Sequence, residues 1–216
     1  MKLYDAVGPN PRLVRMFLAE KGVELPTEQV DIMAGQNRQA PYTDANPFGQ
    51  MPALELDDGR VIGETTVICE YLEEKHPTPV LVGATPEERA ETRMWTRRAV
   101  LNVIEPMSAG FRFAEGLSMF QGRMRCMPDA SADFKAVAQD GLALFDGLIE
   151  GRAWIVGDRF TLADIALYTL LDFFATVGQP LDPERKNVGA WFERVGARPS
   201  AEASLHPVAA GGGMRA

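Results

Sequence analysis

Asn46-Pro47-Phe48-Gly49-Gln50-Met51-Pro52-Ala53-Leu54 leads into the turn Asp57-Asp58-Gly59 and then into Gly63-Glu64-Thr65. Asn-Pro followed by glycine is turn chemistry. Pro52 stands at the mouth of the apolar run Ala53-Leu54-Glu55-Leu56. A proline cannot donate to a sheet ladder, so it belongs at the first residue of a strand, and the Met51–Pro52 bond is a candidate cis peptide. The N–H and C=O of Met51 would then stay outside the ladder, open to an extended, peptide-like ligand. Glu64-Thr65 opens the next helix, and a helix N-terminus attracts carboxylates. The stretch therefore reads as a peptide edge beside an anion socket.

On its N-terminal side, 2–7 reads as a strand and Gly8-Pro9-Asn10-Pro11 as a turn into a helix, with Asn10 as N-cap and Pro11 in the first helical position. Leu13, Val14, Phe17 and Leu18 form an apolar stripe, and Gly22 ends the helix. Residues 27–32 read as a second strand, and 33–46 as a polar loop with one helical turn. On the other side, Asp58-Gly59 joins two strands as a hairpin. A helix over 65–75 carries Val67, Ile68, Tyr71 and Leu72 on one face. Strand-helix-strand followed by strand-strand-helix implies a mixed four-stranded sheet with packed helices.

His76-Pro77-Thr78-Pro79 breaks this pattern, and the chain beyond is helical. Thr85-Pro86-Glu87-Glu88 is a capping box. Pro106 predicts a kink in the helix it starts. Helix is expected to continue over 111–124, and Pro128 to Ser131 to cap the next one. Thr161-Leu162-Ala163-Asp164 is a second capping box, with Asp in the usual glutamate place. The helix behind it, Ile165 to Phe174, has almost no polar face and should be buried. The expected domains are 1–78, a linker at 79–86, an all-helical 87–200 and a loose tail at 201–216, rich in Ala and Gly.

The formal net charge of -8 excludes a dominant basic face and hence a nucleic-acid partner. Met1–Asp5 is a strand start, without the apolar run of a secretory leader, and no segment has membrane-spanning length. Cys69 and Cys126 are far apart, with no metal or CxxC spacing, so a reduced, cytoplasmic setting is expected and no metal site. Cys69 falls by an apolar stripe and reads as core. Cys126 lies between Arg123, Arg125 and Met127 and is a weaker redox candidate.

Taken together, the 46–54 stretch with Asp58-Gly59, the run Gly63-Glu64-Thr65-Thr66-Val67-Ile68-Cys69-Glu70-Tyr71-Leu72, and Gly157-Asp158-Arg159-Phe160-Thr161-Leu162-Ala163-Asp164 resemble the cytosolic glutathione S-transferase family over about residues 1–200. Pro9-Asn10-Pro11-Arg12 and Leu18-Ala19-Glu20-Lys21-Gly22 look most like its bacterial and fungal group, related to the yeast second glutathione transferase type. The resemblance implies a fold of α/β plus all-α type: a thioredoxin-like N-terminal domain with a mixed four-stranded sheet, then an all-helical domain. It implies glutathione as co-substrate, no metal, an apolar electrophile held by the second domain, a detoxification role and a homodimer. Met51, before cis-Pro52, would pair with the cysteinyl backbone of glutathione. Glu64 would take the γ-glutamyl ammonium and Thr65 its carboxylate. Gln50 and the loop residues Gln36, Asn37 and Arg38 would meet the glycyl carboxylate, and Arg98 would reach in from the helical domain.

The resemblance breaks where the thiol should be activated. Serine-type members carry their hydroxyl where this chain has Gly8, and cysteine-type members a thiol where it has Asn10. Tyr4 falls too early for the tyrosine type. A histidine associated with the nearest group corresponds to Phe113. The candidates for thiol activation are Asn10, the helix N-terminus, and a water held by the second domain, the last being a device that the resemblance implies for some members of the nearest group. The alternatives are a non-catalytic binder of glutathione or of an apolar ligand, and a reductase using Cys126.

Overall fold

The computed structural model describes residues 1–209 and 215–216 in full and the backbone of 210–212. It divides into two compact units, 1–82 with 198–216, and 83–197.

The first unit is built on a four-stranded sheet. Strand β1 (Lys2–Asp5) runs parallel to β2 (Thr27–Gln29), with helix α1 (Pro9–Lys21) as the crossover. On its other side β1 is antiparallel to β3 (Ala53–Glu55), which turns through Asp58-Gly59 into β4 (Val61–Ile62), giving the order β2-β1-β3-β4. The turn is held by the Asp58 carboxylate, which accepts the Arg60 N–H at 3.0 Å, and by Gly59 at φ 83°. Strand β2 is shorter than the expected 27–32, although Val30 N–H still reaches the Asp5 carbonyl at 2.8 Å. Residues 33–46 contain two short helical turns instead of one: a 3-10 turn, Gln36–Arg38, and α2 (Tyr42–Ala45).

Helix α1 buries Leu13, Val14, Phe17 and Leu18 as its periodicity predicts. Gly22, at φ 63°, ends it, with Val23 N–H returning to the Leu18 carbonyl at 3.1 Å. Helix α3 (Thr65–Lys75) has a different buried face from the expected one. Ile68, Cys69, Leu72 and Glu73 are buried, while Val67 is exposed and Tyr71 half-buried. Glu73 belongs to this face because it meets the buried ammonium of Lys21 and accepts the N–H groups of Leu81 and Val82 at 2.9 and 3.0 Å.

The tail differs from the loose segment expected from its composition. Helix α10 (Pro199–Ala203) packs on α1, and Ser204, Ala209 and Ala216 are buried. The cause lies on α1. The buried Arg12 guanidinium donates to the Ala201 and Arg215 carbonyls, both at 3.1 Å, and to Ser204 Oγ at 3.3 Å. Arg15 donates to the Ser204 carbonyl at 2.8 Å, and Arg198 to Glu20 at 2.6 and 2.7 Å. Backbone carbonyls, one serine hydroxyl and one carboxylate answer these donors, so apolar patterning carries no trace of the docking. The part of the expected loose tail at 213–214 lies outside the described residues.

The second unit contains α4 (Pro86–Ala99), α5 (Glu105–Arg112), α6 (Leu117–Phe120), α7 (Ser131–Leu148), α8 (Leu162–Thr176) and α9 (Lys186–Gly196). Thr85 caps α4 by accepting Glu88 N–H at 3.2 Å. The Glu88 carboxylate reaches Ala84 N–H at 2.7 Å, one residue before the box partner. The break expected at Pro106 is a π-helical turn, Val100–Ile104, between α4 and α5. Pro106 has no N–H for the Asn102 carbonyl four residues earlier. Gly141 of α7 closes on that same carbonyl: a Cβ there would lie 2.1 Å from its oxygen.

Helix does not continue over 111–124. Turns separate α5 from the four-residue α6. Helix α7 begins at Ser131, directly after a 3-10 turn (Pro128–Ala130), so the stretch expected to cap it precedes it as a turn, with Ala130 at the cap position and no side-chain capping bond. Helix α8 is buried from Leu162 through Phe174, as its apolar run predicts.

Candidate active site

The sheet register assembles the site. Tyr4 pairs with Ala53, and Leu54 pairs with Ile62. The start of β3 is therefore flanked by the end of β1 and the end of β4. Carried outward, the two registers set Met51-Pro52 against Asp5-Ala6, which lead into the Gly8 turn from which α1 departs, and against Glu64-Thr65, from which α3 departs. Three segments distant in sequence thus share one end of the sheet.

At the centre, Met51–Pro52 is a cis peptide. Among the described residues, no hydrogen bond uses the N–H or C=O of Met51. Beside it, Glu64 is the only non-glycine residue at positive φ among those described, at φ 66°, ψ 118°. Such a conformation costs about 1–3 kcal/mol and persists where surrounding structure imposes it. It precedes Thr65, the first residue of α3, whose leading N–H groups have no acceptor inside the helix. Glu64 is exposed and Thr65 half-buried, and neither side chain has a partner among the described residues. The end of the sheet thus offers a backbone edge, a free carboxylate, a free hydroxyl and a positive helix end.

The surrounding loop is tied to backbone. Arg38, exposed, donates to the Phe48 carbonyl at 2.9 Å, and Asn37 to the Gly49 carbonyl at 2.8 Å. Gln36 accepts Asp31 N–H at 2.9 Å. The Gln50 side chain is exposed and unpartnered among the described residues, while its carbonyl accepts from Tyr42 and Asn46. Tyr42 is not among the residues expected at the site, and Asn46 is expected there only as part of a turn. An aromatic hydroxyl four residues before an Asn-Pro pair was the available signal.

At the α1 end, Asn10 is not the N-cap. Gly8 holds that position at φ 145°, and Asn10 is the exposed second residue of a helix that starts at Pro9. The chain reaches helical geometry two residues early because Pro9, with fixed φ and no N–H to satisfy, suits the first position itself. Pro9 and Pro11 carry no N–H, so Asn10 supplies the only amide hydrogen among the first three helical residues. Its side chain makes no capping bond and has no partner among the described residues.

Tyr4 is unsuited to thiol activation. Its hydroxyl donates to Glu55 at 2.6 Å, and this bond raises its pKa. Cys69 is fully buried, and burial pushes its thiol well above the ordinary range. Cys126 is half-buried, its thiol 3.7 Å from the Met124 carbonyl. Phe113 is buried edge-on to Phe134 in the second unit, and Arg98 lies over Trp95, 5.0 Å from the ring centre. No group of three or more His, Cys, Asp or Glu side chains among the described residues is placed to hold a metal ion.

Two family models match the chain: "Glutathione S-transferase, N-terminal domain" over residues 7–75 and "Glutathione S-transferase, C-terminal domain" over 132–199. With the sheet, the cis-proline edge and the helical second unit, they define the class: the chain belongs to the glutathione S-transferase family. Within it the chain falls with the yeast second type. It is 32% identical to Glutathione S-transferase 2 of Saccharomyces cerevisiae over 213 residues, covering 95% of this chain and 89% of that protein. The crystal structure of Gtt2 from Saccharomyces cerevisiae superposes with a TM-score of 0.87 at 32% identity, covering 95% of this chain and all of that one (100%). A relative named Maleylacetoacetate isomerase, from Pseudomonas aeruginosa, is 30% identical over 84% of this chain and 85% of its own length.

Proposed function

We propose that the chain is a glutathione transferase that ionises the glutathione thiol at the N-terminus of α1 and transfers it to an apolar electrophile. The observation that carries this reading is the unpaired backbone of Met51 beside the free Glu64 and Thr65 side chains. The cysteinyl backbone of glutathione would pair antiparallel with Met51, with Pro52 fixing the strand start. Its γ-glutamyl carboxylate would take the Thr65 hydroxyl and the first N–H groups of α3, and its ammonium the Glu64 carboxylate. The glycyl carboxylate would be met by Gln50 and Arg38. This leaves the thiol facing Asn10.

The energetics are sufficient without a hydroxyl activator. A free thiol of this kind ionises at roughly 8.5–9. Lowering that by ~2 units takes ~2.7 kcal/mol of preferential stabilisation of the thiolate. A helix N-terminus gives up to about 2 kcal/mol in a partly buried geometry, and a hydrogen bond to a charged group ~1.5–3 kcal/mol. With prolines on both sides, that bond falls to the Asn10 N–H or side-chain amide. The thiolate then attacks the electrophilic carbon and its leaving group departs. Proximity and the lowered thiol pKa supply the acceleration.

Turnover of glutathione with 1-chloro-2,4-dinitrobenzene tests this, alongside Thr65→Val. The variant is expected to raise the KM for glutathione about tenfold or more, the loss of one hydrogen bond to a carboxylate. Its melting temperature should match wild type, because the hydroxyl has no partner among the described residues. Unchanged KM would remove Thr65 from the site. A second reading, a non-catalytic glutathione-binding protein, is favoured by the lack of a hydroxyl, thiol or free phenol at Gly8, Asn10 and Tyr4. It predicts glutathione binding with no turnover on any electrophile.

A further inference from the structure

The chain entering β3 is held by side chains at three successive carbonyls. Phe48 C=O accepts from Arg38 at 2.9 Å and Gly49 C=O from Asn37 at 2.8 Å. Gln50 C=O accepts two donors, the Tyr42 hydroxyl at 2.6 Å and the Asn46 amide at 2.9 Å. At the next residue, Met51, both backbone groups are without a partner among the described residues. The Gln50–Met51 peptide is trans, so its N–H points opposite to its C=O. Two donors pulling the Gln50 oxygen one way therefore turn the Met51 N–H the other way.

We propose that Tyr42 and Asn46 are positioning residues for glutathione, fixing the Gln50–Met51 peptide plane so that the Met51 N–H faces the cysteinyl carbonyl of the tripeptide. The proposal rests on the reading of Met51 as the glutathione edge. Both donors are themselves fixed. Tyr42 is buried, edge-on to Tyr4 with ring centres 5.5 Å apart, and packs with Val30 and Ala53. Its phenol is kept protonated by burial, so it stays a donor. Asn46 sends its own N–H to the Tyr42 carbonyl at 2.8 Å and accepts Gly49 N–H at 2.8 Å. Its amide nitrogen also lies 3.9 Å from where a Cβ on Gly63 would stand. It thus sits between the Met51 edge and the strand end that delivers Glu64. Rotation of the peptide plane, a freedom the ligand would otherwise have to remove on binding, is suppressed in advance.

Tyr42→Phe keeps the ring and removes one donor. Asn46→Asp keeps the shape and replaces the donor by an acceptor facing the carbonyl. Calorimetry with glutathione on the full chain should show Kd weakened about fivefold for Tyr42→Phe, one neutral hydrogen bond, and tenfold or more for Asn46→Asp. The thiol pKa of bound glutathione and the kcat at saturating glutathione should stay at their wild-type values, because activation lies at α1. A brace with no part in binding would lower the melting temperature and leave Kd unchanged. Wild-type Kd in a folded Tyr42→Phe overturns the proposal, as does a fall in kcat without a change in Kd. If the wild-type chain itself fails to bind glutathione, the reading of Met51 falls first and the proposal with it.

Discussion

Asp164→Ala is expected to destabilise the chain by about 3–5 kcal/mol, or to prevent its recovery in folded form, as a buried polar network losing its centre. Asp164 is fully buried at the start of α8. One carboxylate oxygen accepts Ile155 N–H at 2.9 Å and the Trp191 indole N–H at 2.8 Å. The other accepts Thr161 N–H at 2.8 Å and the Thr161 hydroxyl at 3.2 Å. The capping residue therefore joins the 154–157 connector, α8 and α9, and alanine would leave these donors buried without acceptors. Burial outweighs its hydrogen bonds and raises its pKa to about 6, against roughly 3.9 in the unfolded chain. Between those values the unfolded state releases the proton first, so this group's contribution to stability falls as pH rises from about 4 to about 6. Urea titrations of wild type and Asp164→Asn should accordingly show a wild-type advantage that grows as pH drops through 6. A constant difference across that window would contradict the assignment.

Glu73→Gln should cost about 3–5 kcal/mol, since removing one partner leaves the other charge buried and uncompensated. The Lys21 side chain is fully buried, and its ammonium meets Glu73 and the Pro79 carbonyl. Glu73 also takes the N–H groups of Leu81 and Val82. Glutamine keeps the shape and one acceptor oxygen, so the loss reports the charge. The double variant Lys21→Met, Glu73→Gln should recover a large part of it, because a buried pair as a whole contributes little net stability. A single-variant loss under about 1 kcal/mol in chemical denaturation would place the pair in the solvent-screened class.

The sheet was legible because its signals are local and steric: proline at the start of β3, Asp58-Gly59 at the hairpin, Gly22 after α1. Thr161 and Asp164 were legible as a cap because a capping box is read within four residues. What failed depended on partners distant in sequence. Glu73 lies off the expected apolar stripe of its helix, and what buries it, Lys21 and the 79–82 backbone, is not local to it. The tail looked loose because Arg12 and Arg15 dock it through carbonyls, which every residue carries. Asn10 was misread as a cap because Pro9 and Pro11 both suit a first helical position, and the structure uses the earlier one. In the candidate site, the cis bond at Pro52 and the helix start at Glu64-Thr65 are legible as local turn and cap chemistry, whereas the hold of Tyr42 and Asn46 on Gln50 depends on how the 36–50 loop folds back on itself. The reactive end at Gly8–Pro11 departs from the family pattern, and there resemblance gave least.

The proposed ionisation of glutathione without a side-chain hydroxyl is read out by titrating the bound thiol through its ultraviolet thiolate absorbance. A midpoint about 2 units below that of free glutathione is expected, moving back toward the free value in Asn10→Ala through loss of the side-chain donor. A bound thiol that ionises no lower than free glutathione would rule out thiolate activation at the α1 N-terminus.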